Sequence, residues 1–250
     1  MTRELERRRT IRVQLSGMEA LARGGASSLP TGFAALDTAL GVGGLPRGRI
    51  VEIFGPASCG KSAVALQIIA EVQRAGGAAA WIDAERAFDA AFAAQLGVDV
   101  AGLAVAVPDS AEEALEMARR FAASGAVDVV AIDSAAALVP RLETEAGIGN
   151  TGAGLQGRVL GAELRRLALV AWRTQVCMLF LNQTRARPAA AGEGETSAGG
   201  PALKLHAAVR IALSAAGRRV RFRILKNKLA APFVGGELEW RPGLGFTTSR

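Results

Sequence analysis

GRIVEIFGPASCGKSAVALQIIAEVQRAGG, residues 48–77, decides how the rest of the chain is read. Residues 50–54 form a compact, mainly apolar run that ends in Gly55, the pattern of a short buried strand. From Ser62 onward apolar residues recur at helical spacing until the pair Gly76 and Gly77, which ends a helix. Between strand and helix lie Gly55, Pro56, Ala57, Ser58, Cys59, Gly60, Lys61 and Ser62, which fit the phosphate-loop pattern of Gly, four residues, Gly-Lys-Ser. The glycines let the backbone wrap a phosphate and turn N–H groups toward it, and the helix presents its positive end to the same oxygens. Lys61 then neutralises the β and γ phosphates, and the Ser62 hydroxyl ligates Mg²⁺. The stretch predicts a site for ATP and Mg²⁺. A glycine-rich turn without a ligand is the alternative, and the flanking strand and helix disfavour it.

Downstream, AAAWID reads as a strand, AEEALEMARRFAASG as a helix, VDVVAID as a buried strand, ELRRLALVAWRT as a helix and VCMLFLNQ as a strand. Alternating strands and helices imply βαβ units in a mostly parallel sheet covered on both faces, so the predicted fold is an α/β P-loop nucleoside triphosphatase. Beyond Gln183 the pattern changes. ARPAAAGEGETSAGG reads as a mobile surface loop unless a ligand orders it. VRIAL, RRVRFRILKN and GELEWR then read as alternating strands that give the sheet a partly antiparallel edge. Upstream, Arg3 to Ala22 reads as a basic, moderately amphipathic helix followed by the joint GGASS. The predicted organisation is an N-terminal segment and joint over 1–28 and one ATPase core over 29–250.

Half of the 250 residues are hydrophobic, enough for one large core. Alanine inflates the mean hydropathy of +0.24, and charges interrupt every apolar run before the ~20 residues a spanning helix needs. The first residues, MTRELERRRTIRVQL, lack the form of a secretory leader, so the expected location is cytoplasmic. Cys59 and Cys177 have no metal or redox spacing and read as reduced thiols. The net charge of +7 favours a polyanionic partner, and its distribution is uneven: from Leu203 onward ten basic residues face two acidic ones, Glu237 and Glu239.

Several further residues carry candidate chemistry. Asp133 ends VDVVAID, which places its carboxylate at the C-terminal edge of the sheet, where it would hold the Mg²⁺ shell or cap the next turn. Glu85, two residues beyond AAAWID, would orient the water that attacks the γ phosphate, or stand as a solvated or capping residue. The period of two puts Arg219, Arg221 and Arg223 on one strand face, opposite Val220, Phe222 and Ile224. That cationic face would contact nucleic-acid phosphates, reach across a subunit interface or simply be solvated. Arg185 and Arg187 flank one glycine-rich stretch, Arg158 and Arg165 another, and such loops suit a phosphate backbone. Aromatic residues for base stacking are scarce there. His206, with no nucleophile beside it, reads as a packing or hydrogen-bonded residue.

Taken together and in order, TGFAALDTALGVGGLPRGRIVEIFGPASCGKS, WIDAERAFD, SGAVDVVAIDSAAALVP, LFLNQTR, GGPALKLHAAVRI and ILKNKLAAPF resemble the motifs of bacterial RecA-type recombinases, over about Leu29 to Phe246. The resemblance implies a filament-forming, DNA-dependent ATPase that coats single-stranded DNA and pairs it with a homologous duplex. It implies that Glu85 is the catalytic glutamate and Gln183 the residue that senses the γ phosphate and relays it to DNA. Asp89 and Phe92 would contact adenine, while Lys226 and Lys228 would reach a neighbouring subunit's ATP. Residues 146–155 and 186–200, which include Gly199 and Gly200, would be the two DNA-binding loops. Arg221 and Arg223 would form a secondary strip for duplex DNA.

The departures are specific. The chain stops after the core, so the family's small C-terminal domain is expected to be absent, and the N-terminal segment does not match closely. The second loop carries RPAAAGEG where bulky apolar residues are usual, and Ala153 stands where a larger side chain would wedge between bases. Two functions are compatible with this pattern. The first is a compact recombinase acting in recombination, repair and the SOS damage response, with a damage-response repressor among its partners. The second is a diverged accessory protein, for example of a translesion polymerase complex, that binds ATP and does little strand exchange.

Overall fold

The computed structural model of the protein describes residues 27–145, 154–186, 195–198 and 200–248. The first predicted helix and most of the two predicted DNA loops, including Arg187 and Gly199, lie outside them. The chain begins with β1 (Ser28–Leu29), α1 (Ala34–Leu40), β2 (Leu45–Pro46), β3 (Ile50–Gly55) and α2 (Lys61–Arg74). It continues with β4 (Ala79–Asp83), α3 (Ala90–Gln95), β5 (Leu103–Ala106), α4 (Ala111–Ser124) and β6 (Val129–Asp133). A 3₁₀ turn (Ala135–Ala137), α5 (Arg141–Glu145), α6 (Leu155–Thr174), β7 (Cys177–Ala186), β8 (Glu195–Ser197) and α7 (Ala202–His206) follow. The last four strands are β9 (Val209–Ala216), β10 (Arg219–Asn227), β11 (Gly235–Arg241) and β12 (Gly245–Thr248).

One sheet dominates, in the order β12-β11-β10-β9-β3-β7-β6-β4-β5, with β8 attached to β7. From β9 to β5 every pairing is parallel; from β9 to β12 every pairing is antiparallel. The expected parallel centre and antiparallel edge are both present, and β9 is the strand that joins them. Strands β3, β4 and β6 are buried along their whole length. Their alternate residues feed two cores. Val51, Ile53, Trp81 and Val129 pack with Val64, Ile68 and Ile69 of α2 on one face, and Ile50, Ile82, Val130 and Ile132 pack with α4 and α6 on the other. Ile68 and Ile69 are fully buried, each stabilising by roughly 1.5–3 kcal/mol relative to exposure.

The helix expected from ELRRLALVAWRT begins earlier, at Leu155, because Gly154 adopts a left-handed conformation and Gln156 ties the first turn to Ala135 O and Leu138 O, at 3.1 and 2.8 Å. Strand β7 runs past Gln183 to Ala186 because β8 returns alongside it, Thr184 opposite Ser197. Strands β5 and β12 have no counterpart in the sequence reading. No helix among the described residues is long and apolar enough to cross a membrane.

Candidate functional site

The loop from Gly55 to Ser62 joins β3 to α2 as expected. Both motif glycines are required by neighbours from the far end of the chain. A Cβ on Gly55 would lie 2.3 Å from Leu213 O on β9, and one on Gly60, at φ +94°, would lie 2.8 Å from the Phe246 ring. Phe246 is clamped in place by two bonds, its N–H donating to Gln67 Oε1 at 2.7 Å and its carbonyl accepting from Gln67 Nε2 at 3.0 Å. Ser58, at φ +57°, completes the tight winding of the loop. Lys61 opens α2 and folds back over the loop, its Nζ donating to Pro56 O at 2.6 Å and Gly55 O at 3.2 Å. Its charge is thus held at the rim of the loop. Cys59 lies within 3.9 Å of the same ammonium, and burial raises its thiol pKa.

Across the loop stand three carboxylates from two strand ends. Ser62 Oγ donates to Asp133 Oδ2 at 2.7 Å, which brings together the two residues expected to hold Mg²⁺. Burial pushes the Asp133 carboxyl up to about 6, Glu85 and Asp83 acting in the same direction and the Ser62 hydroxyl and Lys61 against it. A hydroxyl and a carboxylate are the hard oxygen donors that Mg²⁺ takes, and a cation here would relieve the clustered negative charge. The residues present therefore fit a magnesium–nucleotide complex. Asp83 does a different job: it accepts from Ala87 N and Phe88 N, at 3.1 and 2.9 Å, and so folds the turn that carries Glu85. The N–H groups of Ala84 and Glu85 donate to Asp133 O, at 2.7 and 3.1 Å, locking that turn onto β6. The exposed Glu85 carboxylate then accepts from Ser134 Oγ and from Gln183 Nε2, the latter at 3.1 Å. The two residues expected to form the catalytic and sensing pair are thus in contact, with Ser134 a third member that sequence reading missed. Only its place directly after a strand-ending Asp could have marked it.

The other nucleotide candidates are arranged less simply. Asp89 caps α3, its Oδ1 accepting from Ala91 N at 2.8 Å and Phe92 N at 3.0 Å. The half-buried Phe92 ring stacks on Trp240, with centroids 6.4 Å apart, and Trp240 meets Phe246 edge-on at 5.0 Å. An aromatic row thus runs from Phe92 to the ring over Gly60. Lys226 Nζ donates to Lys204 O and Leu205 O, at 2.7 and 3.0 Å, in the last turn of α7. Burial, with Lys228 and Arg210 nearby, lowers its pKa. Lys228 is exposed. His206 also lies in this cationic neighbourhood, its pKa lowered by burial and by Arg165, Lys226 and Lys228.

Among the expected DNA contacts, Arg158 and Gly200 line one cavity of about 690 Å³ between the 3₁₀ turn, the start of α6 and Pro201. Arg165 is exposed two turns further along α6, and Arg185 belongs to β7 opposite Thr196. On β10 the period of two holds: Val220, Phe222 and Ile224 are buried, and Arg219, Arg221 and Arg223 are exposed. The face is not purely cationic, however. Register places Glu237 of β11 directly opposite Arg221, and its carboxylate accepts from Arg221 Nε at 2.8 Å and Arg219 Nη1 at 3.3 Å. These cations hold the Glu237 carboxyl below its ordinary value. A cavity of about 660 Å³ lies between Arg221, Arg223, Phe233 and Glu237 and reaches Pro56 of the phosphate loop.

Comparison with known proteins agrees with this geometry. The family model for the RecA N-terminal domain matches residues 17–246. Protein RecA of Clavibacter michiganensis subsp. michiganensis is 48% identical over 230 residues, covering 88% of this chain and 64% of that protein. Protein RecA of Leifsonia xyli subsp. xyli is 47% identical over 230 residues with the same coverage. Protein RecA of Thermus thermophilus is 48% identical over 229 residues, covering 87% of this chain and 67% of that protein. The chain thus spans about two thirds of the length of these relatives, 64% for the first two. With the phosphate loop, the paired Ser62 and Asp133 and the Glu85–Gln183 contact all in place, the chain belongs to the RecA family.

Proposed function

We propose that this chain is a DNA-dependent ATPase that binds single-stranded DNA as a filament and promotes homologous pairing and strand exchange. Its setting would be cytoplasmic recombination, DNA repair and the SOS damage response. The observation that carries the reading is the 3.1 Å bond from Gln183 to Glu85. Gln183 lies on β7, three residues before that strand's end at Ala186 and the start of the stretch assigned to DNA, so one side chain joins the hydrolytic carboxylate to the DNA side. Family membership supplies the second support.

In this reading Lys61 leaves the loop carbonyls for the β and γ phosphates, and the helix end adds its partial charge. Ser62 and Asp133 would hold Mg²⁺, which supplies charge neutralisation at the phosphate oxygens. Glu85 orients the attacking water, and the Ser134 hydroxyl and the Gln183 amide fix its carboxylate. The Asp89 carboxylate and the Phe92 ring face the base. In a filament, Lys226 and Lys228 approach the phosphates of the neighbouring copy. Arg158, Arg165, Arg185, Arg187, Gly199 and Gly200 track the single strand, and Arg221 and Arg223 meet the duplex.

The test is ATP hydrolysis at low salt, with and without single-stranded DNA, because phosphate contacts weaken steeply with salt. Strong stimulation is expected, with a loss of roughly 10²–10⁴-fold in Glu85→Gln. Unstimulated turnover by protein that still binds ATP would refute the proposal.

A further inference from the structure

Four polar side chains sit in the interior on the sheet face that α4 and α6 cover: Glu52 and Asn182 are fully buried, and Ser197 and Arg210 are 5% and 7% exposed. A buried ion pair is weak support for stability, since well-packed apolar residues of similar volume do as well or better. A glutamate inside the otherwise apolar strand β3 therefore calls for another account. Its bonds supply one. Register makes Glu52 and Arg210 cross-strand neighbours. Arg210 Nε donates to Glu52 Oε2 at 2.5 Å, its Nη2 donates to Ser197 Oγ at 3.1 Å, and its guanidinium lies 4.3 Å from the Phe54 ring centroid. Asn182 Nδ2 donates to Glu52 Oε1 at 2.9 Å and to Ala198 O at 3.0 Å, while its Oδ1 accepts from Gln183 N at 2.9 Å. Ala198 N donates to Gln183 O at 2.9 Å.

The Gln183 backbone is held on both sides by this cluster, its N–H by Asn182 and its carbonyl by Ala198, while its side chain reaches Glu85. Ser197 and Ala198 are the residues by which β8 re-enters the core. We propose that Arg210, Glu52 and Asn182 are positioning residues that couple Ser197–Ala198 to the hydrolytic carboxylate through Gln183. A shift of the Gln183 backbone that re-aims its amide disturbs the bonds that hold β8, and a displaced β8 pulls on the Gln183 backbone. Arginine suits the site because its rigid planar fork spans a carboxylate and a hydroxyl from two separate nitrogens, whereas a lysine keeps the charge but gathers its donors on one atom. The inference rests on the nucleotide-site reading above.

Hydrogen–deuterium exchange of the full chain, with and without Mg²⁺ and adenylyl-imidodiphosphate, separates the two. Peptides covering 55–62 report the nucleotide site, and peptides covering 197–206 report the coupling. The wild-type chain is expected to slow exchange in both. Ser197→Ala and Arg210→Lys should keep the response at 55–62 and lose it at 197–206, with stimulation of ATP hydrolysis by poly(dT) falling about tenfold. Ser197→Thr, which restores the hydroxyl, should restore both signals, and a role confined to packing would not follow the hydroxyl in this way. A wild-type-like response at 197–206 in Ser197→Ala and Arg210→Lys would overturn the proposal, as would a wild-type response confined to 55–62. No response at 55–62 in the wild type would remove the nucleotide-site reading and the proposal with it.

Discussion

Gly60→Ala tests how closely the C-terminal hairpin fits the phosphate loop. The new methyl group meets two costs. Gly60 has φ +94°, and an L residue in left-handed geometry costs roughly 1–2 kcal/mol. The methyl would also lie 2.8 Å from Cε2 and Cζ of Phe246, a ring 7% exposed and held by Gln67, so overpacking adds about 1–3 kcal/mol. The sum is about 3 kcal/mol, which for a chain of this length lowers Tm by roughly 6–12 °C. Thermal unfolding followed by circular dichroism reads it directly. Phe246→Leu trims the ring, so in that background the overpacking share should disappear and about 1–2 kcal/mol should remain. A Gly60→Ala protein within about 0.5 kcal/mol of wild type would refute the close fit. Equal losses in both backgrounds would refute the part assigned to the ring.

Cys59 and Cys177 are both buried, with burial pushing the Cys177 thiol up to about 12, so the folded protein should not react with Ellman's reagent at pH 8 and should release two equivalents once unfolded; fast labelling of folded protein would contradict this. His206 is the single histidine, so its carbon-bound proton gives one NMR signal that should titrate below the ordinary 6.5 and move back upward with added salt. Because folding depresses this base, its share of stability is complete above 6.5 and drains as pH falls from there toward the folded midpoint; a midpoint above 6.5 would reverse the sign. Glu237→Gln releases Arg219 and Arg221 from their shared carboxylate, and should tighten binding to duplex DNA at low salt, with the gain fading toward about 1 M, where screening reaches roughly 3 Å; unchanged affinity would count against the duplex role of that face.

Features with a local cause could be read from sequence. The phosphate loop was legible because its glycines, lysine and serine sit at fixed spacing between a strand and a helix. Asp133 was legible because an apolar run ends on it, and the arginine face because β10 keeps its period of two. Features assembled from distant segments could not be read. Glu237 opposes Arg221 only once the β10–β11 register is set, so a strand that looks cationic alone becomes a mixed face. The Glu52–Arg210 pair spans 158 positions, and nothing next to either residue announces the other. Asp83 ends a strand just as Asp133 does, yet its carboxylate is committed to two backbone N–H groups, a difference that only the folded turn reveals. Strand β5 escaped because LAVA is alanine-rich and half exposed, so it lacks both alternation and a continuous apolar run.

The clamp between Gln67 and Phe246 also sets a timetable. The two residues are 179 positions apart, so at about 5–20 residues per second the ribosome needs roughly 10–35 s to deliver the second after the first. Strand β3 waits nearly as long, since its parallel neighbours are β7 and then β9, whose Val209 pairs with Val51. Until β7 emerges a fully buried strand of the finished fold has both edges unpaired, and until β9 emerges it has one, the condition under which nascent chains associate with one another. The phosphate loop is thus synthesised long before it is finished. A nascent chain halted short of β12 should expose its phosphate loop without its aromatic cover, and should depend on chaperones more heavily than the released protein does.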